Sequence, residues 1–255
     1  MPQSVDRALD VLDAVAASDG PLTAKALARR TGCALSTVYE LLGALTARGH
    51  LVRTAGGYTL GYRVPALHRA FQRQMRVDDE VHGLLHTARR AIGADTYFSA
   101  YRDGGIAVLA GAADAGAPTG GFSLGQDADG HATAHGKVLL SALPRAARLR
   151  YLSGTGMRAI TPRTITSAER LDVELRRVRR EGVAVEVEEC APGVACVAVP
   201  VPGAAGSGVR TAVSAALPLE EFLRHGRQVT DVLRHVAVEA GRLAAGPGAD
   251  VATDG

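Results

Sequence analysis

The first 63 residues alternate short helical stripes with glycine stops, and this punctuation limits what the chain can build more than any other feature. From Ser4 to Ser18, Val5, Leu9, Leu12, Val15 and Ala16 recur at spacings of three and four, the stripe of an amphipathic helix that Gly20 and Pro21 end. Thr23 can cap a second helix, because its hydroxyl accepts an otherwise unpaired backbone N–H, and Gly32 then supplies a permissive turn. A third helix opens near Ser36, buries Val38, Leu41, Leu42 and Leu45, turns Ser36, Thr37 and Glu40 outward, and stops at Gly49. Two short strands follow around Ala55, Gly56 and Gly57, where glycine permits the positive φ of a tight hairpin. Helix, helix, helix, hairpin is the order of a winged helix-turn-helix.

Such a module reads DNA by laying its third helix in the major groove, while cationic side chains and the wing hold phosphates. The candidate contacts are Leu35, Ser36, Thr37, Tyr39 and Glu40 at the start of the third helix, and Lys25, Arg29, Arg48 and Arg53 around it. Arg53, in the wing, is the preferred phosphate contact. Pattern alone leaves open another small domain of the same elements, or a winged helix that contacts protein. Charge does not decide it: 29 basic against 26 acidic residues give a net +3, only mildly basic.

A chain of 255 residues is long enough for two domains. Helical periodicity resumes at Val64, predicting a linker helix over 64–78 that leads into a second domain over 79–246. There, strands are expected at Asp95–Tyr101 and Ile106–Ala112 around the turn Asp103-Gly104-Gly105, then a Gly-rich loop over Gly116–Gly130. Two short helices (HGKVLLSAL, RAARLRYL) and a long one that opens on a capping box at Thr166 and Glu169 come next. Three strand runs (VAVEVEE, VACVAVPV, VRTAVSAAL) precede a last amphipathic helix from Leu219 to about Ala245, and residues 247–255 read as a disordered tail.

Several function classes are excluded at this level. No apolar run reaches the ~18 residues of a membrane span, and acids in MPQSVDRALDVLD do not suit a signal peptide, so a cytoplasmic location without membrane contact is expected. Cys33, Cys190 and Cys196 lack paired CxxC spacing, so neither a disulfide nor structural zinc is expected. Gly136-Lys137 fails as a phosphate-binding loop, because Gly130 is one residue too distant and Val138 stands where a hydroxyl is needed. With neither GxSxG nor HExxH present, no catalytic residues, metal or cofactor are assigned. His131 is expected to stabilise the loop or line a cavity.

The run LARRTGCALSTVYELLGALTARGHLVRTAGGYTLGYRV resembles the IclR family of bacterial transcriptional regulators. HATAHGKVLLSALP and TPRTITSAERLDVELRRVRREGVAVEVEECAPGVACVAVPV are similar to that family's effector-domain signatures, and the likeness runs in order from about Val5 to Gly246. The resemblance implies an α+β protein, its N-terminal winged helix joined by the linker helix to a GAF-like α/β effector domain. It also implies a homodimer, in some members paired into a homotetramer, on palindromic or repeated double-stranded operator sites, and a small-molecule effector.

For that effector the resemblance implies a site at Ala128, at the helix start Ala134, His135 and Gly136, and at Glu186, Cys196, Ser214 and Ala216. The free N–H groups and dipole of a helix start can receive an acidic group, so a small polar metabolite is the expected ligand. Cys196 as a plain core residue and Glu186 as a surface residue are the bland alternatives. Three positions depart from the family pattern: Glu40 where the family usually has Arg, His135 where it often has a small residue, and Ala216 where it has Ser. Glu40 can accept from cytosine N4, repel wrong backbones or simply be solvated. The other two leave room for a regulator whose sensory domain serves only oligomerisation or partner binding.

Overall fold

In the computed structural model, residues 3–75, 77, 79–113, 124–203 and 209–245 are described. They fall into two compact units, Met1–Gln74 and Met75–Gly255. The predicted tail over 247–255 and most of the Gly-rich loop lie outside the described residues.

The first unit contains α1 (Gln3–Ala16), α2 (Ala24–Thr31), α3 (Leu35–Ala47), β1 (Leu51–Thr54), β2 (Gly57–Leu60) and most of α4 (Arg63–Met75). Thr23 caps α2 by accepting the Ala26 N–H at 3.2 Å, and Gly32 ends it at φ 65°. α3 starts at Leu35 after Ala34, one residue ahead of Ser36, and has no side-chain cap. Val38, Leu42 and Leu45 of α3 meet Val11, Val15, Leu27 and Leu51 in one core, with Leu41 half-buried. α1 departs from its expected stripe: Val11 and Val15 of its C-terminal half are buried, whereas Val5 and Leu9 stay exposed. The wing pairs Arg53 with Tyr58 across the hairpin, and Leu22 and Tyr58 exchange backbone hydrogen bonds at 3.0 and 2.8 Å. Gly57 permits that approach, because a Cβ there would lie 2.4 Å from the Leu22 carbonyl oxygen.

α4 ends at Met75, short of the expected 78, and Val77 belongs to the core of the second unit. That unit holds α5 (Asp79–Ile92), β3 (Asp95–Arg102), β4 (Gly105–Ala112), β5 (Gly125–Asp127), α6 (Ala134–Ser141), α7 (Arg145–Thr155), α8 (Ala168–Glu181), β6 (Ala184–Val187), β7 (Val194–Pro200), β8 (Arg210–Pro218) and α9 (Leu219–Ala245). Its strands form one antiparallel sheet in the order β5-β4-β3-β8-β7-β6. The β3–β4 turn is a two-residue hairpin turn with Asp103 and Gly104 both at positive φ, the geometry that matches strand twist.

Alternation sorts the sheet's side chains between two layers. Phe98, Val197, Val199, Val213, Ala215 and Leu217 pack under α5 and α9. Tyr97, Cys196, Ala198, Ala212 and Ala216 pack under α6 and α8. The cap of α8 is Ser167, not Thr166: its hydroxyl accepts the Arg170 N–H and donates to Glu169. With Ser167 as the cap, Glu169 is the second residue of the helix rather than the third, and it receives the Ser167 hydroxyl's hydrogen bond.

Candidate functional site

On the first unit, Leu35, Ser36, Tyr39 and Glu40 lie exposed along the first turns of α3, and Thr37 is half-buried. Lys25, Arg29, Arg48 and Arg53 are exposed as well. The buried face of α3 is spent on the core, so its polar N-terminal face and the cationic rim are what this unit offers a duplex.

On the second unit, the strand register gathers the remaining candidates. Glu186 pairs with Cys196, Cys196 with Ala216, and Ser214 with both Ala198 and Tyr97, so all four candidate strand positions share the face covered by α6. Ser99 joins them through its pairing with Ala212. Ala134, His135 and Gly136 form the first turn of α6 and are buried, whereas Ala128 is exposed in the segment between β5 and α6. Gly136 lets the helix touch that segment: a Cβ there would lie 2.2 Å from the Gly130 carbonyl oxygen.

Glu186 is fully buried, which removes the surface reading. Its Oε2 accepts the Glu189 N–H at 2.8 Å, while Oε1 has no partner. The Ser99 and Ser214 hydroxyls are likewise buried without partners. Burial pushes the Glu186 carboxyl up, against the Cys196 thiol and Glu189 amide that favour its charged form. The Cys196 thiol is raised well above its ordinary value by the Cys190 thiol, by burial and by Glu186, so it stays protonated and behaves as a small apolar group with a weak donor.

The helix start is less open to an anion than its sequence suggests. Thr133 caps it by accepting the Gly136 N–H at 3.2 Å, and Asp127 of β5 accepts from Thr133 Oγ1 at 3.2 Å. Asp127 also bonds His135 Nε2 at 2.8 Å and accepts the Asp129 N–H at 2.8 Å. Burial raises the Asp127 carboxyl, but the hydrogen bond and charge of His135 with the Asp129 and Thr133 bonds outweigh it and hold it below the usual range. A carboxylate of the chain itself therefore already sits beside this helix terminus.

Around this site lie groups that sequence reasoning missed. Lys137, fully buried, forms an ion pair with Glu189, which explains the Gly-Lys pair as structure rather than phosphate binding. Tyr151 donates to the Asp127 carbonyl at 3.0 Å and accepts the Gly130 N–H at 3.2 Å. His131 bonds the Arg158 carbonyl at 3.0 Å. These partners lie 24, 21 and 27 residues apart, or 52 for Lys137 and Glu189, and no local spacing signals them. Among the described residues, no group of three or more His, Cys, Asp or Glu could hold a metal, and no helix is long and apolar enough to cross a membrane.

A winged helix with an exposed polar reading helix, followed by an α/β domain with unpartnered buried polar atoms, defines the class of ligand-responsive transcription regulators. The chain belongs to the IclR family: residues 4–55 match its helix-turn-helix domain and residues 72–241 its C-terminal domain. It is similar to the HTH-type transcriptional regulator XynR of Escherichia coli, 31% identical over 202 residues that cover 78% of this chain and 80% of that protein. The HTH-type regulator BhcR of Paracoccus denitrificans is 30% identical over 208 residues, 80% and 74% of the two chains. Among solved structures, the Thermotoga maritima IclR matches with a TM-score of 0.78 at 24% identity, covering 96% of this chain and 99% of that one. An IclR homologue from Microbacterium hydrocarbonoxydans, complexed with 4-hydroxybenzoate, matches at 0.81 and 20% identity over 95% and 99%. The protein is a DNA-binding transcription regulator with a C-terminal effector domain, and the family and its members are regulators, not enzymes.

Proposed function

We propose that the chain binds a palindromic or repeated operator as a homodimer, with α3 in the major groove, and that a small polar metabolite on the α6 face of the sheet alters that binding. Such a regulator works in the cytoplasm, where its promoters are. The observation that carries the ligand reading is the set of buried, unpartnered polar atoms on one sheet face: Glu186 Oε1, Ser99 Oγ and Ser214 Oγ. Buried polar atoms without partners are few in native proteins, and a ligand that supplies the partners accounts for several on one face. Exposed Val5 and Leu9 of α1, with Leu67 and Phe71 one helical turn apart on α4, support pairing of two first units.

The site favours a ligand that donates. With Asp127 beside the helix start and Glu186 on the sheet, a simple keto acid meets two carboxyl groups, whereas a hydroxyl- or amine-bearing acid satisfies Glu186 and the serines. The structural neighbour's 4-hydroxybenzoate carries both a hydroxyl and a carboxylate, and it heads the compounds to screen. Thermal-shift screening of hydroxy acids, amino acids and lactones, followed by operator titration with each hit, tests the proposal. Hits that raise the midpoint and change operator affinity support it; a ligand binding both folded states equally raises the midpoint and leaves operator affinity unchanged.

A second reading rests on His135. Its imidazole, tied to Asp127, occupies the helix start where the family often has a small residue, and Ala216 brings no hydroxyl. On that reading the second unit serves only oligomerisation or partner binding, and the same screen returns no stabilising compound.

A further inference from the structure

A cavity of about 590 Å³ opens on the second unit at the opposite end of α6 from the first-turn residues. Its wall is built from the β3–β4 turn, the α6–α7 corner and the start of β8. Tyr101, Leu143 and Ala147 give it apolar surface, and Arg150 and Arg210 bring two guanidinium groups. Among the described residues neither arginine has a side-chain partner, whereas Arg148, two positions earlier on α7, is held by Asp172 at 2.9 Å. The one carboxylate of the wall, Asp103, is already engaged by Arg102 at 3.1 Å. The volume is that of a site for a small organic molecule.

We propose that this cavity is a second ligand site, distinct from the one on the α6 face, and that it takes a phosphate monoester carried on a flat apolar body. Two uncommitted guanidiniums match a dianion, and arginine's planar donor fork suits phosphate oxygens. The Tyr101 ring and the Leu143 and Ala147 side chains receive the apolar body. Tyr151 lines the same cavity while its hydroxyl holds the Asp127 carbonyl and the Gly130 amide, so occupancy bears on the segment that enters α6.

The test uses the full chain and 4-bromophenyl phosphate. In soaked crystals the bromine's anomalous peak is expected between Tyr101 and Ala147, with the phosphate toward Arg150 and Arg210. Calorimetry is expected to give a dissociation constant that rises about tenfold or more in the R150Q/R210Q variant, since the dianion loses both cationic partners. Both arginines are exposed, so this variant is expected to fold as the parent does, checked by its thermal midpoint. A147W, which fills the cavity without touching its charge, abolishes the same signal, and 4-bromophenol binds more weakly than the ester. Bromine peaks only elsewhere, an unchanged constant in R150Q/R210Q, or no binding to the parent chain overturns the proposal.

Discussion

In the first turn of α6, His135 Nε2 lies 2.8 Å from Asp127 Oδ2, tying the helix start to the outer strand β5. The imidazole is fully buried and the carboxylate only slightly exposed, so this bond fixes the stretch of chain that leads from β5 into α6. Asp127→Asn is expected to cost about 1–3 kcal/mol at neutral pH, the scale of a buried charge-assisted bond. The Asp127 carboxyl is depressed in the fold, so its stabilisation is present above the ordinary value of 3.8 and is lost as pH falls below it. Urea denaturation of both proteins at pH 7 and pH 3 is expected to show a difference that shrinks at the lower pH.

Glu186 has the opposite sign. Its carboxyl is raised by burial, so the unfolded chain releases the proton first, and stability falls as pH climbs from the ordinary value of 4.5 toward the folded one. Glu186→Gln removes that cost while keeping an acceptor for the Glu189 amide. The variant is expected to be more stable than the parent at pH 7 and equal to it below 4.5. It should also reorder which compounds stabilise the protein, with ligand-free operator affinity unchanged. Thermal shifts and operator titrations on both forms check this; unchanged ligand ranking with lost DNA binding would sink the assignment.

Strand alternation made it possible for distant sequence positions to be read onto one sheet face. Glu186, Cys196, Ser214 and Ala216 were placed by resemblance, and their register pairs put them on one face without adjustment. What could not be read were partners distant in sequence: Asp127 for His135, Glu189 for Lys137, Tyr151 for the Gly130 amide. β5 carries no strand pattern in GQD and exists because Ile106, Ala107 and Val108 offer it a free edge. In the first unit the glycine stops set the elements correctly. The inward face of α1 was misjudged because periodicity gives a stripe but not the length of core available to cover it.

Gly136→Ala tests the close approach of α6 to its own leading loop. The added methyl meets the Gly130 backbone at 2.2 Å, where nothing flexible can yield. Overpacking of this kind is expected to cost about 1–3 kcal/mol and to abolish any ligand-induced thermal shift at the α6 site. Retention of both the midpoint and the shift would show that the loop moves freely there.

Arg53→Ala, in the exposed wing, is expected to act as the loss of a phosphate contact rather than of a base reader. Binding should weaken for all sequences alike, and the slope of log affinity against log salt should fall by about one unit. A changed preference at one base pair with an unchanged slope would make Arg53 a base reader instead.

The exposed start of α3 is expected to read a specific two-part site. Sequencing DNA selected from a random pool by the parent protein, and by a variant carrying S36A, T37A and Y39A, tests it most directly. Ser36 and Tyr39 are exposed and Thr37 half-buried, so the variant's thermal midpoint is expected to stay near the parent's. The parent should enrich two half-sites in palindromic or repeated arrangement, since one reading helix contacts only a few base pairs. The variant should bind DNA without enriching them. Equal enrichment by both proteins, or a single unpaired half-site bound by a monomer, would contradict the account.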